Sequence, residues 1–258
     1  LLKRGEKMKV YFIGAGPGDP KLLTIKGREI LEKADIVIYA GSLVNPEILE
    51  YAPQAEVYNS ASMTLEEVVA TMELAKQNDQ VVARVHTGDP SIYGALQEQL
   101  DYLRQANIDY EIIPGVSSFL AAAAALEREF TLPDVSQTVI LTRLEGRTAV
   151  PDKERLTKLA QHNTSMAIFL SVHMISDVVE ELQQEYPVET PIAVVQKASW
   201  PEEKTVQGTL GTITAKVEAA EINKTALIVV GNFLDSDYSK SKLYDKEFSH
   251  EFREAEEE

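Results

Sequence analysis

The sequence predicts an α/β protein built as two α/β domains with a cleft between them. Strand-like and helix-like segments alternate along both halves, which is the signature of βαβ units and a largely parallel sheet. A proline-containing break, LPDVSQ at 132–137, interrupts the alternation near the middle. Beyond it, two strand-like runs follow one another with only a turn between them, so the second half should carry a mixed sheet. The expected division is an N-terminal α/β domain at 8–133, a C-terminal mixed-sheet domain at 134–235 and an acidic tail at 236–258. A cleft between two such lobes is a common seat for a small molecule.

The elements follow in order. MKVYFI (8–13) is an apolar strand, and 22–34 has helical spacing at Leu23, Ile30 and Leu31. DIVIYA (35–40) is a buried-strand run. Thr64 stands three residues before Glu67 and opens a helix over 64–77 as a capping box. VVARV (81–85) is a strand, and SIYGALQEQLDYLRQA (91–106) is read as one helix. YEIIP (110–114) is a strand, and 117–127 is a helix whose alanine run permits close packing. After the break, TVILT is a strand, DKERLTKLAQ a helix, SMAIFL (165–170) a strand and ISDVVEELQQ a helix. PIAVVQKASW and KTVQGTL read as two strands joined by a turn at Pro201, Glu202 and Glu203, with Trp200 as its anchor, and ALIVVG (226–231) closes the domain.

Composition narrows the function classes. A net charge of −16 argues against general nucleic-acid binding, which needs a basic footprint. Part of the charge is local: residues 235–258 hold four Lys/Arg against nine Asp/Glu, which reads as a solvated, frayed terminus. No apolar run approaches the roughly 20 residues that span a bilayer, so no membrane partner is expected. The start, LLKRGEKMKV, has basic residues but no apolar h-region and is not read as a secretory signal. Residues 1–7 are expected to precede the fold. With no cysteine, disulfides, thiolate metal sites and Cys nucleophiles are excluded, and a cytoplasmic setting is compatible.

The glycine-rich stretch GAGPGDPKLLT (14–24) invites comparison with phosphate loops. A dinucleotide fingerprint needs a third glycine where Asp19 stands, and a Walker loop needs a glycine at the same place followed by Lys-Ser or Lys-Thr. Phosphate loops present several backbone N–H groups to an anion. Pro17 and Pro20 each remove a donor, and Asp19 adds negative charge. The stretch therefore reads as a stiff strand-to-helix elbow. Gly-Asp-Pro recurs at Gly88, Asp89 and Pro90, again after a strand and before a helix. Open α/β sheets place ligands at such carboxyl ends, where an Asp can accept from a ribose hydroxyl or an amino group. A plain turn with a helix cap is an equally good reading of that second loop.

VYFIGAGPGDPKLLT, RVHTGDPSIYG, IPGVSSFLAAAAALE and the closing TALIVVG occur in this order and spacing. Together they resemble the tetrapyrrole methylase family, the class III S-adenosylmethionine-dependent methyltransferases, over roughly residues 8–235. YAGSLVNPEIL (39–49), HTGDPSIYGALQEQ, the stretch from GVSSFL to EGRT and VQKASWPEEKTVQGTL are similar to the members that act in corrin-ring synthesis. The resemblance implies a fold of two α/β domains, a homodimer, S-adenosyl-L-methionine as cofactor with S-adenosyl-L-homocysteine as product, and a small-molecule tetrapyrrole substrate. It also implies cofactor contacts at Pro17, at Thr87, Gly88, Asp89, Ile92 and Tyr93, at the hydroxyl pair Ser117 and Ser118, at Phe169 and Leu170, at Ala198, and at Thr225, Ala226 and Leu227. Leu170 stands where relatives often carry Met, and Thr225 where they carry Pro.

Methyl transfer from a sulfonium is an in-line displacement at carbon, so alignment matters more than a nucleophilic side chain or a metal. No metal and no catalytic residue is assigned, and the four His show no zinc-type spacing. The carboxylates of the implied substrate call for local positive charge on an acidic protein. Arg84, Arg143, Arg147, Lys197 and Lys204 are the candidates, each of which also reads as an ordinary surface cation. His86 can move a proton in the ring rearrangement or simply pack. Tyr39 and Tyr93 can stack on a macrocycle or fill space. The other readings are a tetrapyrrole methylase of different regiochemistry, a non-catalytic tetrapyrrole carrier and a dinucleotide-dependent oxidoreductase. The missing third glycine weighs against the last.

Overall fold

The computed structural model describes residues 8–41 and 43–255. The expectation for residues 1–7 and the last three residues of the tail lie outside them. The chain divides into two compact units, residues 1–121 with 197–203, and residues 122–196 with 204–258.

The first unit is a parallel sheet of five strands: β1 (Val10–Gly14), β2 (Ile36–Tyr39), β3 (Glu56–Asn59), β4 (Val82–His86) and β5 (Tyr110–Ile113), in the order β3-β2-β4-β1-β5. Side chains alternate between its two faces. Tyr11, Ile13, Val37, Ala83 and Val85 pack with Leu23, Ile30 and Leu31 of the segment around α1 (Ile25–Leu31). Val10, Phe12, Ile36, Ile38 and Val82 pack with Val68 and Met72 of α2 (Leu65–Gln77) and Leu100 and Leu103 of α3 (Gln97–Gln105). Both faces are covered, which is why these strands read as nearly unbroken apolar runs.

This topology selects a place for a ligand. The chain leaves β1 through α1 toward β2, and leaves β4 through α3 toward β5, so the two connections run in opposite directions over opposite faces. The adjacent strands β1 and β4 form a topological switch point, and ligands of open α/β sheets sit outside the strand carboxyl ends there. At those ends, backbone meets backbone. A Cβ on Gly14 would lie 2.6 Å from Gly115 Cα and 2.7 Å from the Gly88 carbonyl oxygen, and one on Gly115 would lie 2.7 Å from Gly14 Cα. Gly14, Gly88 and Gly115 end or follow β1, β4 and β5, and only the absence of a side chain on Gly14 and Gly115 lets the three turns approach this closely. After β5 the chain enters α4 (Ser118–Ala125).

The second unit is a mixed sheet in the order β6-β7-β10-β8-β9, with β6 (Val139–Arg143), β7 (Ser165–Phe169), β8 (Pro191–Gln196), β9 (Lys204–Thr209) and β10 (Ala226–Val230). β6 and β7 are parallel, and β10 runs antiparallel to both β7 and β8. Met166, Ile168, Ile192, Val194, Ile228 and Val230 pack with Val178 and Leu182 of α6 (Ile175–Leu182) and Ile213 and Val217 of α7 (Ile213–Ala219). α5 (Leu156–Ala160) precedes β7 and adds Leu156 and Ala160 to this core. Residues 132–137 precede β6, while the division between units falls at 121/122, inside α4.

Several expectations need correction. Residues 91–106 are not one helix: Tyr93 and Ala95 have φ of 52° and 46°, so α3 begins only at Gln97. The span over 152–161 is a 3-10 turn, Asp152–Glu154, followed by the short α5. The 22–34 helix is preceded by a 3-10 turn, Pro20–Leu22, and the α-helix starts at Ile25 under the Thr24 cap. β8 and β9 pair as expected, but seven residues, 197–203, join them rather than three. β3 and α7 escaped the sequence reading. β3 exposes three of its four residues and lacks a full apolar period, and α7 is only seven residues long. The Thr64/Glu67 capping box is present in both directions. The tail residues 236–255 carry a 3-10 turn, Lys242–Tyr244, and Arg253 donates to the carbonyls of Leu243, Asp245 and Phe248.

Gly115→Ala should lower the unfolding free energy by about 1–3 kcal/mol, the usual cost of overpacking a rigid contact. Gly146→Ala, where the nearest atom is 3.5 Å from the added Cβ, should stay within about 0.5 kcal/mol of the parent in urea titrations. Equal effects would contradict the close approach at the strand ends.

Candidate functional site

The first-unit candidates gather at the carboxyl ends of β1, β4 and β5. Gly16 and Gly88 form a two-residue antiparallel bridge: Gly88 N donates to Gly16 O at 2.8 Å and Gly16 N to Gly88 O at 3.2 Å. The two Gly-Asp-Pro turns are thus hydrogen-bonded to each other. Both glycines take positive φ, 77° and 59°. A Cβ on Gly88 would lie 3.5 Å from Ser117 Cα and 3.6 Å from Ser118 N, so the second turn also abuts the hydroxyl pair that starts α4.

The two turns differ in what their polar groups do. In the elbow, Ala15 N donates to His86 O, Asp19 N to Ser199 Oγ at 3.0 Å, Lys21 N to Asp19 Oδ1 at 2.8 Å and Leu22 N to Asp19 O. These donors are consumed inside the protein rather than presented together to an anion. Trp200 closes the elbow. Its Nε1 donates to Pro17 O at 2.9 Å, and its indole lies where a Gly18 side chain would be. Asn45 Nδ2 donates to Gly18 O at 3.0 Å from a buried position. Pro17 is buried, with its carbonyl committed to Trp200. Sequence reasoning gave Trp200 a turn-anchoring part but missed Ser199 and Asn45, whose partners are far away in the chain.

In the second turn Asp89 is the organising group. Oδ1 accepts from Ser91 N at 2.9 Å and from the Ser91 hydroxyl, and Oδ2 accepts from Gly115 N at 2.8 Å. Although burial opposes ionisation, these hydrogen bonds together hold the carboxyl below its ordinary value. Oδ1 is filled by its two bonds from Ser91, and Oδ2 retains one free lone-pair direction. Asp89 thereby ties the β4 loop to the β5 loop. Thr87 is half-buried and donates to Leu43 O, Ile92 is half-buried, and Tyr93 is exposed on left-handed backbone. Ser117 is buried and Ser118 half-buried. Ala198 is buried in the segment that carries Trp200, and Lys197 stacks over the Trp200 ring at 5.1 Å and pairs with Glu202 at 3.6 Å.

Two candidate substrate groups on β4 turn inward. Arg84 is 7% exposed and donates to Gln99 Oε1 at 3.0 Å and to the carbonyls of Ile38 and Val85. Burial lowers its pKa to about 10, so the guanidinium stays charged at neutral pH. This placement corrects the reading of Arg84 as an ordinary surface cation, and its bonds to Gln99, Ile38 and Val85 turn it away from the role of partner to a substrate carboxylate. His86 is 4% exposed, packs beside Phe12 and hydrogen-bonds the Gly94 backbone. Burial first and the Arg84 charge second depress its pKa to about 3, with Asp89 opposing weakly. A ring that stays neutral across the physiological range is a poor proton shuttle.

The second-unit candidates share one end of their sheet. Arg143 pairs in register with Phe169, Ala226 with Gln196, and the antiparallel β7–β10 register runs from Ile228 opposite Ile168 toward Phe169 and Leu227. Leu170 is exposed and Thr225 half-buried, with φ of 55° and 52°. Backbone held in that region by non-glycine residues is often found at ligand sites. Arg143 donates to the carbonyls of Thr148 at 3.0 Å and Ala149 at 2.8 Å, so it braces its own loop. Arg147 and Lys204 are exposed.

Comparison with known proteins agrees with this architecture. The family described as Tetrapyrrole (Corrin/Porphyrin) Methylases matches residues 9–214. A cobalt-precorrin-4 C(11)-methyltransferase of Methanocaldococcus jannaschii is 58% identical over 248 residues, covering 95% of this chain and 96% of that protein. One from Priestia megaterium is 49% identical over 253 residues, covering 95% and 98%. The solved structure of a cobalt precorrin-4 methyltransferase superposes with a TM-score of 0.87 at 48% identity, covering 89% of this chain and 97% of that one. A uroporphyrin-III C-methyltransferase from Thermus thermophilus, solved with S-adenosylhomocysteine, gives 0.75 at 25% identity, covering 88% and 98%.

The His86 environment sets a pH dependence. Its folded pKa lies below the ordinary value of about 6.5, so between pH 6.5 and 3 the unfolded chain binds a proton that the native chain does not. Stability from this group is therefore full above pH 6.5 and is lost as pH falls, by up to about 1.4 kcal/mol per unit. Unfolding free energies at pH 7 and pH 5 should differ by about 1–2 kcal/mol more in the parent than in His86→Gln. Identical pH slopes would mean that His86 titrates normally.

Proposed function

The chain belongs to the tetrapyrrole methylases, and on that premise we propose that it transfers a methyl group from S-adenosyl-L-methionine to ring carbon 11 of precorrin-4 or cobalt-precorrin-4. The supporting observation for the reaction is the near-full-length identity with relatives that bear this name, 58% in the first case above. The cytoplasmic setting, the homodimer and the working domains at 8–133 and 134–235 belong to the same proposal. Among the described residues no helix is long and apolar enough to cross a membrane.

The chain's groups fit the cofactor. Asp89 Oδ2 offers a free lone pair beside the Ser117–Ser118 pair, and the glycine contact at the strand ends leaves backbone rather than side chains facing that side. When bound, S-adenosylmethionine supplies an already activated methyl group. The work left to the protein is to hold and orient. Asp89, Thr87, Gly88, Ile92 and Tyr93, with Ser117 and Ser118, are the first-unit groups assigned to this. Phe169, Leu170, Thr225, Ala226 and Leu227 are the second-unit groups, and Pro17 and Ala198 flank the elbow. Orientation of this kind is worth effective molarities of about 10⁵ M or more. Arg147, Lys197 and Lys204 are the exposed or half-buried cations left for substrate carboxylates.

The direct test is incubation with S-adenosylmethionine and the trimethylated precursor, followed by NMR location of the added methyl. Methylation at carbon 11 is expected. A methyl at another carbon would establish a different regiochemistry, and no transfer with retained binding would favour a carrier. At the residue level, Asp89→Ala should weaken S-adenosylhomocysteine binding about tenfold in calorimetry, because it removes both the free acceptor on Oδ2 and the tie to Gly115. Asp19→Ala, which removes only a cap on a 3-10 turn, should change it far less. Equal losses or the reverse order would count against the assignment.

A further inference from the structure

Arg84, His86 and Gln99 form a buried polar group beneath the second Gly-Asp-Pro turn. They are 7%, 4% and 4% exposed, and they lie on the β4 face that α3 covers. Charged and polar side chains are rarely buried so deeply unless their hydrogen bonds are made. Arg84 and Gln99 make theirs toward the turn and the neighbouring strands, while His86 Nε2 is buried without a partner. Gln99 Nε2 donates to Ala95 O at 2.8 Å, and its Oε1 accepts from Arg84 Nε at 3.0 Å. Arg84 reaches the Ile38 and Val85 carbonyls with its other arm, which fixes it on two adjacent strands. His86 hydrogen-bonds the Gly94 backbone.

Gly94 and Ala95 belong to the segment whose backbone refuses a helix. Tyr93 and Ala95 lie at φ of 52° and 46°, and a Cβ on Gly94 would overlap the Pro90 carbonyl. Left-handed backbone at two non-glycine residues is strained and persists only where the surroundings impose it. The same seven residues, 89–95, contain Asp89, Ile92 and Tyr93, the groups assigned to the cofactor.

We propose that Arg84, His86 and Gln99 are positioning residues: a buried strap that grips the Gly94 and Ala95 backbone and so holds residues 89–95 in the shape that receives the cofactor. Gln99 is the hinge of the strap, because its amide bonds Arg84 on one side and the turn on the other. The cofactor part of this inference rests on the methyltransferase reading; the strap itself does not.

Gln99→Glu separates the two roles. Glutamate keeps an acceptor for Arg84, as an ion pair, but has no donor for Ala95 O. Gln99→Leu removes both bonds, and Gln97→Leu, on the exposed side of the same helix, is the control. In the ligand-free protein, hydrogen exchange at the Ser91 and Ile92 amides, which donate to Asp89, should speed up in both Gln99 variants and not in the control. Gln99→Glu should still unfold in one cooperative urea transition yet bind S-adenosylhomocysteine about tenfold more weakly, with a raised KM for S-adenosylmethionine and kcat at saturation unchanged. Parent-like exchange and affinity in Gln99→Glu would overturn the strap. If the parent itself fails to bind S-adenosylhomocysteine, the methyltransferase reading falls, and the exchange rates still decide whether the strap holds the turn.

Discussion

The site side of the first unit depends on one contact, the backbone-to-backbone approach of the turns after β1, β4 and β5. Gly14, Gly88 and Gly115 leave no room for a Cβ on the first or the last. The Gly16–Gly88 bridge and the Asp89–Gly115 bond then lock the three turns together. Parallel strands in the order β4-β1-β5 bring these turns side by side, and the opposite courses of the flanking connections open a place for a ligand there.

The two Gly-Asp-Pro turns divide the labour. The first is clamped from all sides, by Trp200 on Pro17, Ser199 on Asp19 and Asn45 on Gly18. The N–H groups of Ala15, Gly16, Asp19, Lys21 and Leu22 are spent inside the protein, so it acts as a rigid wall. The second keeps acceptor capacity on Asp89 and is followed by strained backbone that a buried polar group supports. Stiffness in one and exposed, held backbone in the other is the arrangement that positioning a pre-activated methyl donor requires.

Much of this was legible in the chain. The alternation, the mixed second sheet and the Thr64 cap follow from local pattern, and Pro17, Pro20 and Asp19 argue against a phosphate cradle from the sequence alone. What was not legible depends on side-chain contacts that helix propensity does not report. SIYGALQEQ has good helix formers, yet residues 91–96 stay out of the helix, with Ser91 N bonded to the Asp89 side chain and Ala95 O to the Gln99 side chain. Arg84 looked like a free cation because sequence cannot show that α3 covers it. Gln99 carried a faint signal: it sits beside Leu100 and Leu103 on the buried stripe of α3, where an apolar residue is the rule.

The most direct test of the account is a crystal structure with S-adenosylhomocysteine bound. The account expects the ligand to touch residues 87–93 and 117–118, with the Trp200–Pro17 bond and the 16–20 elbow unchanged. A ligand anchored instead on the N–H groups of residues 15–21, with Trp200 displaced, would contradict it.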